Sequence, residues 1–365
     1  GMSNQVVWGT PHVFAVFLIV AASGALNVAS IASVFGRKIY KPLAPLSALL
    51  AVALLIAGLL VLVLDLGRPE RLIVAMTTYN FKSIFAWNIF LYTGFIVIVA
   101  VYLWSMMDRK VNAMSKQVGF FAFFWRLALT TGTGSIFGFL VARQAFDAAL
   151  MAPMFIVMSF AFGLAFFLLV LMFTFDWDQR PLGDAIIQRL KNLLGIFVGA
   201  VLYFWAVYHL TNLYGTENHA VEAFLLRDGG IYTWMFWLGA VLIGGILPLF
   251  IIYHPVLGKS RGAIALACAM VIVGGLATMY HIIIGGQAFP MQMFPDKTII
   301  ESGFYDGVNG AAAYYAPSMP EVLLGIGGVG VALLVTAIGI RVLRFLPISL
   351  ADDVADPHSA SSARA

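Results

Sequence analysis

Long apolar runs broken by short polar stretches set the pattern of this chain, at residues 11–34, 43–64, 84–104, 119–141, 153–175, 193–213, 231–253, 263–284 and 322–343. Each is about 20 residues long, enough for a helix to cross a hydrocarbon core of roughly 30 Å. The pattern predicts an all-α integral membrane protein of about nine transmembrane helices. A re-entrant piece within 285–320 would make ten. The breaks differ in charge. One set carries Arg37, Lys38, Lys41, Arg109, Lys110, Lys116, Arg180, Arg189, Lys191, Lys259, Arg261, Arg341, Arg344 and Arg364. The other has only Arg68, Arg71, Lys82, Arg143, Arg227 and Lys297. Short cytoplasmic loops retain Lys and Arg, so the first set is expected inside, the N-terminus outside and the C-terminus inside.

Composition narrows the class. Only 10% of the 365 residues are charged and 62% are hydrophobic, against roughly 25% charged in soluble domains. The formal charge of +4 is spread thinly, which leaves no basic block for nucleic acid. Cys268 is the sole cysteine, so a cysteine-held iron–sulfur cluster, c-type haem or internal disulfide is excluded. The first apolar run reaches spanning length and lacks a basic leader, so no cleavable signal is expected. Gly1 before Met2 reads as an added residue.

The second run ends in Leu64-Asp65-Leu66-Gly67-Arg68-Pro69-Glu70-Arg71-Leu72. Pro69 cannot continue a helix, and Gly67 is expected to permit a tight reversal. A carboxylate and two guanidiniums at a membrane boundary make a candidate site, or a solvated helix end with a salt bridge. Sorted by depth, the polar groups concentrate at the outer end: His12, Asp65, Ser83, Trp87, Asn88, Arg143, Gln144, Asp147, His209, Asn212, Tyr280 and His281. Deeper lies Arg126, expected to snorkel to the cytoplasmic face.

His12, Asp65 and Asp147 at one depth could accept protons from a redox ligand, with Trp8, Phe14, Phe85, Trp87 and Phe90 as a greasy slot. Such aromatics are more often interfacial belt residues. Arg143 and Asp147, four apart, could simply pair on one helix face. His209 and His281 are the pair a bis-histidine haem b would use, but histidines hydrogen-bonded near helix ends are commoner, so no haem and no metal site is expected. The Gly134/Gly138 and Gly195/Gly199 pairs predict close helix approach.

Trp8-Gly9-x-Pro11-His12, the Asp65-Leu66-Gly67-Arg68-Pro69 turn, Gly285-Gly286-Gln287 and Tyr315-Ala316-Pro317-Ser318-Met319-Pro320-Glu321 together resemble the NrfD-like family, the membrane subunits of polysulfide reductase and related respiratory complexes. The last two elements are closest to the DsrP-type and alternative-complex-III-type members. The resemblance implies two four-helix bundles plus a peripheral first helix: residues 1–42 for that helix and its inner loop, 43–191 for the quinone-side bundle, 192–346 for the second bundle with an outer loop at 285–320, and 347–365 for a disordered cytoplasmic tail. It also implies a quinone, menaquinone or ubiquinone, bound without covalent attachment. The implied partner is a ferredoxin-like iron–sulfur protein on the outer, periplasmic face, among other subunits of a redox complex in a bacterial or archaeal cytoplasmic membrane.

Mapped onto this sequence, Asp65 and His12 exchange quinol protons, and Gly67, Arg68, Trp87, Asn88, Arg143 and Asp147 surround the quinone. Arg71, Gln287 and Tyr315 dock the partner. The quinone-contacting tyrosine of the polysulfide reductase branch has no counterpart in the fourth span. Rival expectations are a transporter-like proton conduit and a purely structural anchor.

Overall fold

A computed structural model describes residues 1–3, 5–289 and 315–355. The long helices are α1 (Thr10–Ser33), α2 (Ala44–Asp65), α3 (Ile84–Met107), α4 (Ser115–Gly138), α5 (Met151–Trp177), α6 (Asp184–Tyr214), α7 (Ile231–Tyr253), α8 (Arg261–Ala288) and α9 (Met319–Leu343). All except α4 are long and apolar enough to cross a membrane; α4 matches them in length but carries Lys116, Gln117, Arg126 and three threonines. Among the described residues there is no β-strand beyond an isolated bridge between Leu182 and Leu350. The protein is an all-α integral membrane protein.

The helix ends follow from local chemistry. Pro11, Pro45 and Pro320 stand in first turns, where a missing N–H costs nothing. Ser318 and Glu321 form a reciprocal capping box at the start of α9. Helix α6 begins at Asp184, nine residues before the apolar run, because 184–191 is amphipathic and buries Ile186, Ile187 and Leu190.

Helix α1 is the centre of the molecule, which corrects the expectation of a peripheral first helix. It packs on α2, α4, α5, α8 and α9, and most of its surface is covered. Its close crossing of α5 needs glycine on both sides: a Cβ on Gly24 would overlap the Ser159 carbonyl, and one on Gly163 would overlap the α1 backbone at Gly24 and Ala25. Around it, α2 packs on α3, α3 on α4, and α4 on α5, while α5 also packs on α6 and α8. Helix α7 lies against α6 and α8. Helix α9, expected beside α6–α8, instead packs on α1 and α2.

Of the small-residue pairs, Gly134 and Gly138 lie where a Cβ would come within 2.7 and 2.8 Å of the Met151 and Ala148 carbonyls. Gly195 is needed against Tyr253, but Gly199 faces open space. Arg126 does not snorkel. It is 3% exposed, midway along α4, donating to Asn27 Oδ1 (2.6 Å) and the Ser23 carbonyl (3.2 Å) of α1, with Phe123 and Phe160 rings 5.1 Å from the guanidinium. The polar spacing of α1 supplies those acceptors, so the charge stays inside.

Of the tail expected to be disordered, the described part is held. Leu350 exchanges backbone hydrogen bonds with Pro181 and Gly183, and Asp352 accepts from the Asp184 and Ala185 amides at the start of α6. Most of the 285–320 loop lies outside the described residues.

Candidate functional site

The end of the bundle that carries the start of α1 and the end of α2 will be called the upper end. Helix α2 stops there because Leu66 turns extended and Pro69 opens a short 3-10 turn, Pro69–Arg71. Gly67 is not used as expected. Its backbone is not left-handed, and a Cβ there would meet nothing within 4 Å. Arg68 and Arg71 are exposed, followed by a short apolar helix, Leu72–Thr77, whose Ile73, Val74 and Met76 are also exposed.

Asp65, the last residue of α2, meets His12 in the first turn of α1. His12 Nδ1 and Asp65 Oδ2 are 2.9 Å apart, with side-chain exposures of 22% and 7%. The two atoms are close but not in line, so neither has an aligned hydrogen-bond partner among the described residues. The indole of Trp8 lies over the His12 ring with centroids 6.2 Å apart and planes at 28°. Phe85, Phe137 and Phe146 pack around that indole. Phe85 is 45% exposed, and Leu64 and Leu66 flank Asp65 on the surface. The result is a histidine–carboxylate pair at the edge of an aromatic shelf with an exposed apolar rim.

Two residues expected to dock a partner instead hold this shelf in place. Gln287, 1% exposed, accepts from the Val7 and Trp8 amides (both 3.0 Å) and donates to the Trp8 carbonyl (2.9 Å). Tyr315 is buried too; its hydroxyl accepts from the Thr10 amide (2.7 Å) and donates to Glu321 (2.8 Å). Burial pushes that phenol up to about 12, so it remains a donor. Neither is available to another protein, which corrects the docking assignment; only Arg71 of that set is on the surface.

Arg143 and Asp147 do not share a helix face. Helix α4 ends at Gly138, and residues 139–150 form turns. Arg143 donates to the Gln287 carbonyl (2.9 Å) and the Gln5 carbonyl (2.8 Å), and partial burial lowers its basicity from the usual guanidinium value. Asp147 is exposed. Asn88 is buried and donates to the Ile84 and Gly132 carbonyls, tying α3 to α4. Trp87 lies half exposed in a cluster with Phe81 and Phe90, its indole N–H on the Phe81 carbonyl. Of the expected quinone shell, the structure gathers Asp65 and His12, with Gly67 and Arg68 on the adjoining turn; Trp87, Asn88, Arg143 and Asp147 do other things or lie apart.

Sequence reasoning missed the partner of His209. Its Nδ1 lies 2.7 Å from Glu222, a carboxylate with no exposed surface that also accepts from Asn212 (2.8 Å). Glu222 stands in a short helix, His219–Ala223, that the sequence presents as an outer loop. Its position thirteen residues after His209, just past a helix end, was the available signal. His281 opens a π-helical turn, His281–Gly285, and its Nδ1 is 3.0 Å from the Tyr232 carbonyl. Trp205 and Phe236 pack against both imidazoles, so no porphyrin fits between them. No group of three or more metal-ligating side chains occurs among the described residues.

Comparison with known proteins gives a consistent set. A family model described as polysulphide reductase, NrfD matches residues 1–291. An Hdr-like menaquinol oxidoreductase integral membrane subunit of Archaeoglobus fulgidus is 32% identical over 358 residues, spanning 98% of the present sequence and 89% of its own length. A selenate reductase subunit of Mesobacillus selenatarsenatis is 22% identical over 380 residues, 92% of the present sequence and 85% of its own. A polysulfide reductase chain of Wolinella succinogenes is 24% identical over 311 residues, 78% of the present sequence and 96% of its own.

Proposed function

Taking as premise that the chain belongs to the polysulphide reductase NrfD family, we propose that it is the quinone-reactive membrane subunit of a respiratory oxidoreductase. It would pass electrons between a membrane quinone, menaquinone or ubiquinone, and an iron–sulfur protein at the upper end. The relatives include a subunit named for menaquinol oxidation. The observation that carries the reading is the His12–Asp65 pair, whose facing atoms lack aligned partners among the described residues, beside an aromatic shelf with an exposed apolar rim.

The residues present fit a quinone head group. A hydrophobic carrier reaches the shelf from the bilayer past Leu64, Leu66 and Phe85. The reduced carrier supplies two electrons and two protons. His12, partly exposed, is placed to take a proton from a ring hydroxyl, and Asp65 behind it balances the charge of the imidazolium. Trp8 backs the imidazole, and the half-exposed Phe85 at the edge of its indole offers the aromatic contact. Arg68, Arg71 and the exposed apolar helix Leu72–Thr77 form the surface offered to the partner, in place of Gln287 and Tyr315. With basic loops inside, the upper end faces outward and the C-terminus lies in the cytoplasm.

Asp65→Asn keeps the shape and removes the negative charge. Quinol-dependent turnover should fall about 10²–10⁴-fold while the complex still assembles. Unchanged turnover in an assembled complex removes Asp65 from the mechanism.

A further inference from the structure

The protein repeats its site. Trp8 and His12 are four apart with the indole over the imidazole, and so are Trp205 and His209, at a centroid distance of 5.2 Å and 11° between planes. In each case the histidine Nδ1 meets a carboxylate, Asp65 at 2.9 Å and Glu222 at 2.7 Å. The two stations share a wall. Phe146 packs on Trp8, and Tyr208, beside His209, donates to the Ala145 carbonyl (2.8 Å). The first station opens to the surface and the second is closed.

We propose that His209 and Glu222 form a second proton-holding site, sealed inside the protein behind the His12–Asp65 pair. Three observations carry it. Both Glu222 oxygens are occupied, by His209 and Asn212, whereas His209 Nε2 is buried with no partner among the described residues. Trp205 Nε1 is likewise buried and unpartnered among the described residues. A cavity of about 10 Å³, with room for about one water molecule, is lined by Trp205, Tyr208 and His281, whose rings pack near the His209 imidazole.

The charge balance gives the direction. With His209 neutral the pair carries one negative charge in a closed site. Among the described residues, the groups that face it are Tyr208 and Asn212 of α6, His281 of α8 and the Tyr232 carbonyl of α7; Arg227, the nearest arginine in sequence, pairs with Asp228 on the surface. None of these brings a fixed positive charge. A proton on Nε2 makes the pair neutral overall, and burial favours neutrality. The step forms an N–H bond at Nε2 as an O–H bond of a protonated water breaks, with no electron transferred.

The site stands on this geometry alone, whatever docks at His12. The test is an NMR titration of the full-length protein in lipid nanodiscs with ¹⁵N-labelled histidine, the His209 signals assigned by their loss in His209→Gln. The expected result is a His209 ring protonated on both nitrogens at neutral pH, or becoming so in one step as the pH falls. Glu222→Gln removes the facing carboxylate and should move that step to lower pH. A ring that stays neutral at every pH at which the protein is folded overturns the proposal, as does a step unmoved in Glu222→Gln. Should that variant not fold, the wild-type titration alone decides. Quinol turnover plays no part in this readout, so it fails or succeeds apart from the proposed redox role.

Discussion

At the scale of single residues, Gln287 is where several strands of chemistry meet. Its side chain satisfies two amides and two carbonyls, and the Trp8 backbone is bonded to it through both N–H and C=O. Gln287→Ala leaves the part-buried Val7 and Trp8 amides without their acceptor, a loss of about 1–3 kcal/mol in all. The expected outcome is a lower thermal midpoint, faster proteolysis before Thr10 and loss of quinol turnover through displacement of Trp8. Gly67 gives the opposite expectation. Since its backbone is ordinary and its surroundings open, Gly67→Ala should fold with unchanged thermal stability, within about 0.5 kcal/mol. His12 and Asp65 were legible in the sequence because depth alone brought two ionisable residues to one end of adjacent helices. Gln287 and Tyr315 were misread because polar residues near a loop look the same whether they face water or clamp a neighbouring segment. Glu222 was hidden for the same reason.

Among the helices, run length read nearly every boundary, since a bilayer-sized stretch admits little else. Arrangement was harder. A helix apolar on all sides is equally suited to lipid and to a protein interior, so α1 gave no face to read. Its Ala, Gly, Ser and Asn content was the usable sign of a buried position, because small residues serve backbone contact. That contact sets a prediction. Gly163→Leu drives a side chain into the α1 backbone, where overpacking costs typically 1–3 kcal/mol and more when the backbone must move; detergent-solubilised protein should unfold at markedly lower temperature. At the other end of the bundle, Asp352→Ala removes the acceptor for the first amides of α6. A loss of about 1 kcal/mol is expected, visible as faster hydrogen exchange at Asp184–Ile187. Arg126 bears on the conduit alternative. A guanidinium with no carboxylate partner among the described residues, midway along α4, opposes passage of cations beside α1.

For the molecule as a whole, orientation is the property that joins fold to function. Cys268 is buried and is the sole cysteine, so introduced cysteines report cleanly. In intact cells, Arg68→Cys should react with an impermeant maleimide, while Lys259→Cys should react only after permeabilisation. The reverse pattern would put the His12–Asp65 shelf on the cytosolic side and overturn the proposed partner geometry. The central place of α1 also governs how the protein is assembled. Its Ser23 and Asn27 leave the ribosome about a hundred residues ahead of Arg126, the group they are built to receive, and its last flank is covered only when α9 arrives. Until then the earliest helix waits in the bilayer half dressed. A nascent polypeptide ending before Met319 should therefore insert normally yet be cleared by membrane quality control, its oldest segment never enclosed.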